Sequence, residues 1–227
     1  MKSAHIEIVT VSREFGAGGS ELAARLGARL AWPVLDDEVA CRCAARLQLD
    51  TAAVERLREH SPTLLARLSA AFLVAPPEAC AFDSTNLMHV DAVAEAAYES
   101  IMDAAQKLPL IFVGFGTQCI FADRQDALHV RLVAPLEIRV ERLRARFGWN
   151  VATATAKARR MDDDRRRYVQ RYFRRDVLDP LLYDVQINTG RTTIDEAAAL
   201  VEQLVRAGEE VTAGAVARHE HGAGAIA

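Results

Sequence analysis

Residues 6–30 read IEIVTVSREFGAGGSELAARLGARL, and they contain the strongest indication of the fold. Its beginning predicts a short buried strand over His5–Val11, because β-branched residues dominate there. The glycine-rich segment Ser12–Ser20 predicts a turn, and Glu21–Leu30 has leucine at every fourth position, which is a helical spacing. Strand, glycine-rich turn and helix in this order are typical of a site that binds a phosphate group.

The rest of the chain continues the alternation of strand and helix. Four further strands are predicted at Pro33–Leu35, Leu110–Val113, Leu128–Val133 and Tyr183–Thr189. Three later helices are predicted at Leu136–Phe147, from Val151 to about Arg175, and at Thr193–Gly208. Five strands separated by helices predict an α/β fold with a parallel sheet that is covered on both faces. In such a sheet, ligands bind at the carboxyl ends of the strands.

The composition is that of an ordinary globular protein, with 227 residues, a net charge of −3 and 51% hydrophobic residues. These values exclude a disordered chain, which combines low hydrophobicity with high charge, and a collagen-like chain, which is far richer in glycine. No apolar stretch reaches the roughly 20 residues that a membrane span needs, and the N-terminus does not resemble a signal peptide. We therefore expect a cytoplasmic protein that contacts no membrane.

Basic residues are concentrated in one segment. From Arg139 to Arg175 there are 13 basic and 4 acidic residues, so this segment carries +9 while the rest of the chain carries −12. A basic segment on an acidic body favours a polyanionic ligand that is contacted locally. It argues against DNA or RNA, because proteins that bind nucleic acids are more often basic throughout. The alternative is a solvated helical surface with intrahelical ion pairs.

The glycine-rich turn predicts a phosphate-binding loop, with a plain tight turn as the alternative. Gly16, Gly18 and Gly19 let the backbone approach an anion closely, and the next helix offers free N–H groups and the positive end of its dipole. Neither standard motif is complete. Glu21 stands at the third glycine of the dinucleotide-binding pattern GxGxxG, and Gly19 replaces the lysine of the P-loop, although Ser20 keeps the hydroxyl.

Four blocks of the sequence form a specific combination. They read SREFGAGGSELAARLGARLAWPVLDDEV (residues 12–39), LIFVGFGTQCIFADRQDALHVRLVAPLEIRVERL (110–143), MDDDRRRYVQRYF (161–173) and DPLLYDVQINT (179–189). Together they resemble the cytidylate kinase-like family, a branch of the P-loop nucleoside monophosphate kinases. The resemblance implies transfer of a phosphoryl group from ATP, with Mg²⁺, to a nucleoside monophosphate such as CMP or to a related small acceptor.

The resemblance also implies the architecture. We expect a P-loop NTPase fold of three layers, with a five-stranded parallel sheet, helices on both faces and an arginine-rich helical lid. One kinase-like domain would span residues 1–208, with an acceptor-binding helical insert near 38–108 and the lid near 139–176. Residues 209–227 are predicted to be a disordered tail.

Site residues follow from the same resemblance. The cradle for the phosphates of ATP would consist of Gly16, Ala17, Gly18, Gly19, Ser20 and Glu21, with the Ser20 hydroxyl as a ligand of Mg²⁺. The catalytic cations would be Arg13, Arg142, Arg165 and Arg166, because guanidinium groups suit phosphate oxygens. The acceptor side would be formed by Asp36, Asp37, Gly114 and Gly116. Two alternatives stay open: an ion pair of Arg13 with Glu14 or Glu21, and a helix-capping role for Asp37.

Two departures from the family pattern bear on activity. The phosphate loop lacks a lysine, so that Arg13 would have to supply this charge. Phe115 stands between Gly114 and Gly116, where relatives often carry the arginine that holds the acceptor phosphate. A degenerate kinase that binds nucleotide as a sensor or regulatory partner, without turnover, is therefore the alternative function. A dinucleotide-dependent dehydrogenase is a third reading, but it does not explain the arginine-rich segment.

Overall fold

The computed structural model describes residues 5–36, 95 and 97–207, and they form a five-stranded parallel sheet. Its strands are β1 (Ile8–Arg13), β2 (Val34–Leu35), β3 (Leu110–Val113), β4 (Ala127–Val133) and β5 (Val185–Asn188). Their order across the sheet is β2-β3-β1-β4-β5. All neighbouring strands are parallel, so their carboxyl ends meet at one edge, as predicted.

The helices lie on both faces of the sheet. Those with complete bounds are α1 (Gly19–Leu30), α3 (Thr117–Ile120), α4 (Leu136–Phe147) and α5 (Val151–Phe173). Two more are described over residues 97–104 (α2) and 194–207 (α6), and a 3₁₀ turn spans Pro180–Leu182. Helices α1 and α6 pack on one core cluster and α2 on a second, which gives the predicted three layers. No helix among the described residues is long and apolar enough to span a membrane.

The central strand β1 differs from the prediction at both ends. It begins at Ile8 rather than at His5, and it continues to Arg13 rather than ending at Val11. The extension arises because Ser12 and Arg13 pair with β4 through their backbones, which does not depend on apolar side chains. As a result, Arg13 lies at the carboxyl edge of the sheet, directly before the glycine-rich turn.

Helices α4 and α5 form the arginine-rich segment. Helix α4 has the predicted bounds, and it ends at Gly148, which adopts the left-handed conformation that favours glycine. Asn150 then caps α5, because its side chain accepts a hydrogen bond from the backbone N–H of Thr153 at 2.8 Å. Val140 and Leu143 of α4 pack on alanines of α5, so the two helices share a small core. That this pair acts as a lid stays a prediction.

Two predicted regions fall largely outside the described residues. The acceptor-binding insert near 38–108 is described only from residue 95 onward, with residue 96 omitted, and the tail at 209–227 is not described. Asp37 also lies outside the described residues.

Candidate functional site

The glycine-rich loop has the backbone geometry that the sequence predicted. Gly16 and Gly18 have φ angles of +86° and +90°, and α1 begins at Gly19 without any side-chain cap. A Cβ atom at position 18 would lie 2.5 Å from Ile194 Cδ1, and one at position 19 would lie 2.6 Å from Arg13 Cγ. The loop therefore needs glycine both for its conformation and for its close contacts.

Backbone donors at the start of α1 point to an anion site. Among the described residues, the N–H groups of Gly18, Gly19 and Ser20 have no hydrogen-bond acceptor. Free N–H groups at a helix N-terminus, together with the helix dipole, attract phosphate. The arrangement therefore supports the predicted cradle rather than a plain turn. Glu21 contributes no side chain to it, because that carboxylate lies 2.7 Å from Arg25 on the helix surface.

We expect Gly18→Ala to lower the free energy of unfolding by about 1 to 3 kcal/mol, because alanine is strained at this φ and its methyl group meets Ile194. The same variant should lose ATP binding, since the loop would have to shift. Urea unfolding and calorimetric titration with ATP and Mg²⁺ measure the two effects. Gly148→Ala is the matched control, because Gly148 has φ +69° but no atom within 4 Å of an added Cβ. Equal ATP affinity in both variants would contradict the cradle.

Arg13 lies across the loop and pairs with the end of β2. Its Nη2 lies 3.8 Å from Asp36 Oδ1, and its stem covers Gly19. The expected partners Glu14 and Glu21 make their salt bridges with other arginines: Glu14 Oε2 lies 3.4 Å from Arg139 Nε, and Glu21 contacts Arg25. Asp36 Oδ1 is buried and has no hydrogen-bond partner among the described residues. The neighbouring guanidinium of Arg13 supplies the positive charge that this buried oxygen requires.

Asp162 of α5 reaches the start of the loop, which the sequence did not predict. One carboxylate oxygen accepts the N–H of Phe15 at 2.7 Å, and the other accepts a bond from Arg139 Nη1 at 2.6 Å. Arg139 is buried and also donates to the carbonyl oxygens of Ala134 and Phe15. Arg139, the first residue of the basic segment, therefore joins α4, α5 and the glycine-rich loop through protein contacts.

Arg165 brings a second cation to the end of β1. Its Nη1 donates to the carbonyl oxygen of Arg13 at 3.0 Å, and its guanidinium lies 5.7 Å from the centre of the Phe15 ring. Burial, and then the neighbouring charge of Arg13, lower the pKa of Arg165. The nearest carboxylate, Asp162, is 3.9 Å away. The positive charge of Arg165 is thus incompletely neutralised by the protein, which favours the binding of an anion.

A cavity of about 210 Å³ lies at the carboxyl edge of the sheet, beneath α5. Its described lining contains three of the four predicted cations, Arg13, Arg165 and Arg166, and the turn Gly114–Gly116. Arg166 also pairs with Asp176 at 2.9 Å. Arg142 lies elsewhere, because its guanidinium donates to the carbonyl and hydroxyl oxygens of Thr189.

Arg142 contacts the glycine-rich loop indirectly, through Thr189. Arg142 Nη2 lies 2.6 Å from the Thr189 carbonyl oxygen, and the Thr189 hydroxyl donates to the carbonyl oxygen of Ala17 at 2.9 Å. Arg142 therefore contacts the residue that holds the loop in place, and it is absent from the described lining of the cavity.

Sequence reasoning missed Arg131, although a signal was present. Arg131 lies within the predicted strand LHVRLV, whose other members are mostly apolar, and its side chain is buried and lines the cavity. A lone arginine in a strand that is buried on both faces requires polar partners at that place. For Asp162, no signal separates it from Asp163 and Asp164 in the sequence.

Comparisons with known proteins agree with this architecture. A model of the cytidylate kinase-like family matches residues 8–191. A comparison with curated proteins finds no match. An uncharacterized protein from Eubacterium ventriosum is 19% identical with a TM-score of 0.63, and the match covers 89% of this chain and 99% of that chain. Protein TT1252 from Thermus thermophilus is 21% identical with a TM-score of 0.49, over 89% of this chain and 98% of that chain.

A solved shikimate kinase from Bacteroides thetaiotaomicron is also similar, at 13% identity and a TM-score of 0.49 over 88% of this chain and 98% of that chain. At these identities, the likeness to the Eubacterium protein supports the fold alone. The strand order, the glycine-rich loop at the end of β1 and the match of the family model define a P-loop NTPase fold of the kinase type. The chain belongs to the cytidylate kinase-like family.

Proposed function

We propose that the protein is an ATP-dependent kinase that transfers a phosphoryl group to a nucleoside monophosphate, such as CMP, or to a related small acceptor. The observation that carries the proposal is the row of free N–H groups at Gly18, Gly19 and Ser20, with the side chain of Arg13 across them. Phosphoryl transfer depends mainly on positioning and on neutralising the charge of the phosphate oxygens. A backbone cradle beside mobile or fixed cations supplies both.

The chain offers a fit for ATP and Mg²⁺. The cradle would hold the phosphates of ATP, and the Ser20 hydroxyl in the first turn of α1 would be a ligand of Mg²⁺. When bound, Mg²⁺ neutralises the charge on the transferred group. Arg13 would replace the missing lysine, because its guanidinium already lies beside the loop. Arg165 would add a second positive charge close to the same phosphates.

The acceptor would occupy the cavity beneath α5. Gly114 and Gly116 line this cavity, and Asp36, which is not among its lining residues, would act through its contact with Arg13. The phosphate of ATP and the acceptor would thus meet near Arg13, which lines the cavity and also covers Gly19. We place this reaction in the cytoplasm, with free nucleotides and without a nucleic-acid partner.

A second candidate is a nucleotide-binding sensor without turnover. The contact that favours it is the Asp162 carboxylate, which accepts the N–H of Phe15 at the entrance of the loop. A carboxylate so close to the phosphates would repel them unless α5 moves. The phenyl ring at Phe115 and the absence of a loop lysine also favour a sensor without turnover.

The test is ADP release from ATP and Mg²⁺ with CMP, dCMP, UMP, AMP and GMP as acceptors. The kinase proposal predicts acceptor-dependent turnover with one of them. ATP binding without any turnover would favour the sensor.

We expect Arg165→Met to weaken ATP binding by about tenfold to a hundredfold, because a charge-assisted bond to phosphate is lost, with only a small fall in melting temperature. The variant loses the hydrogen bond to the Arg13 carbonyl oxygen and the contact with the Phe15 ring. Burial disfavours the cation and lowers the pKa of Arg165, which offsets part of this loss. Calorimetry and thermal unfolding measure the two effects. Arg159→Met, on the exposed surface of α5, serves as the control. A marked fall in melting temperature with unchanged affinity would show that Arg165 is structural.

A further inference from the structure

The acceptor cavity lacks a cation in its glycine turn. Phe115 has a φ angle of +54° and lines the cavity between Gly114 and Gly116. A phenyl ring provides apolar contact but no charge. An acceptor with an anionic group would therefore need a cation from another wall of the cavity.

Arg131 of β4 also lines the cavity, and β1 lies between its strand and β3, which the glycine turn follows. It pairs in register with Ser12 of β1 and Gln186 of β5, so it is fixed by two neighbouring strands. Its side chain is only 4% exposed, yet it lines the cavity. Because its strand is fixed and its aliphatic stem is buried, this guanidinium has little conformational freedom. Binding a ligand therefore costs it little conformational entropy.

The hydrogen bonds of Arg131 use one of its nitrogens. Nη1 donates to the carbonyl oxygen of Val177 at 2.8 Å and to the hydroxyl of Tyr183 at 3.2 Å. The Tyr183 hydroxyl in turn lies 2.9 Å from the Val177 carbonyl oxygen and 3.3 Å from Ser12 Oγ. Nη2 and Nε of Arg131 have no partner among the described residues, and neither is sealed from solvent. This edge of the guanidinium can therefore bind two oxygens of one phosphate.

No carboxylate of the described residues forms a salt bridge with Arg131. The pKa of Asp176 is lowered by a hydrogen bond from the backbone N–H of Leu178 and, to a smaller extent, by the charge of Arg131. Asp162 is bound to Phe15 and Arg139, and Asp176 pairs with Arg166. Asp163 lines the cavity but makes no ion pair with Arg131. Burying a cation without a partner is costly. Such a cation is retained where a ligand supplies the negative charge.

We propose that Arg131 binds the phosphate of the acceptor and thereby takes the place of the arginine that Phe115 displaces. Arg165, which lines the same cavity, supplies the second positive charge for a dianion, and Phe115 contacts the body of the acceptor. The inference rests on the proposed kinase function only for the identity of the acceptor. Binding of a phosphate by Arg131 can be measured without turnover.

The experiment compares the affinity of CMP, cytidine and inorganic phosphate for the full chain by calorimetry. We expect the wild-type protein to bind CMP more tightly than cytidine by about tenfold to a hundredfold. Arg131→Met, which keeps the apolar stem, should remove this preference and leave the affinity for ATP with Mg²⁺ unchanged. Arg131→Lys keeps the charge but not the paired N–H donors of the guanidinium, so it should show an intermediate preference for CMP over cytidine. This variant replaces Arg131→Met in the test if the methionine variant does not fold.

Arg144→Met is the matched control, because Arg144 is an exposed arginine of α4, and it should behave as the wild type. An unchanged preference for CMP in Arg131→Met, or an equal loss of CMP, cytidine and ATP, would overturn the proposal. Phosphate binding that depends on Arg131, without CMP binding, would support it for an acceptor other than a nucleotide. If neither phosphate nor CMP binds the wild type, the proposal is wrong. Arg131-dependent CMP binding without turnover would contradict the kinase function alone.

Discussion

Arg139→Met is expected to lower the free energy of unfolding by about 3 kcal/mol. Arg139 is buried and donates to the carbonyl oxygens of Ala134 and Phe15 and to the carboxylate of Asp162. Methionine fills most of the volume but leaves these acceptors without a donor, and the loss of one partner from a buried ion pair is strongly destabilising. Asp162 is 25% exposed, so solvent offsets part of the loss.

Urea unfolding measures this effect, and Arg144→Met, on the exposed surface of the same helix, should change stability by no more than about 0.5 kcal/mol. A double variant with Asp162→Asn should recover part of the loss, since the carboxylate that needs a partner is then removed. A loss below about 1 kcal/mol in the single variant would mean that Arg139 does not hold the loop to α5.

Arg13→Ala is expected to lower the turnover number by about 10² to 10³. Arg13 lies at the end of β1, crosses Gly19 and lines the cavity. In the proposed reaction its charge would lie close to both reacting groups. A fixed cation at a transferring phosphoryl group stabilises charge that develops in the transition state. Steady-state kinetics with the acceptor identified by the nucleotide panel measure the effect.

Arg13→Lys is the companion variant, and it should retain more turnover than Arg13→Ala because the charge is preserved. The sensor function predicts another pattern, in which Arg13→Ala weakens ATP binding while there is no turnover to lose. A fall of less than about tenfold in turnover, which is worth only about 1.4 kcal/mol, would show that Arg13 serves its ion pair with Asp36 rather than catalysis.

Most of the fold could be predicted because its elements have strong local patterns. Leu110–Val113 is a continuous apolar run, and in the structure all of β3 is buried. Leu136–Phe147 has the predicted bounds because Pro135 precedes it and Gly148 ends it. The end of β1 was missed, since Ser12 and Arg13 join the sheet through backbone pairing that side-chain patterns do not report.

The glycine-rich loop was predictable because its residues act through their own backbone, and Gly16 and Gly18 have the positive φ angles that favour glycine. The predicted cations Arg13, Arg165 and Arg166 line the cavity. The partners of charged side chains depend on long-range packing: Arg13 pairs with Asp36 rather than with the nearby Glu14. Asp162 contacts Phe15 across 147 positions of the sequence, and no local pattern contains such a contact.

Calorimetric titration of the protein with ATP and Mg²⁺ tests whether the free N–H groups of the glycine-rich loop bind phosphate. We predict a dissociation constant of about 1 μM to 1 mM, which corresponds to about −8 to −4 kcal/mol, and its loss in Gly18→Ala but not in Gly148→Ala. Absence of binding by the wild-type protein at millimolar ATP, or equal binding by both glycine variants, would show that the loop does not bind phosphate.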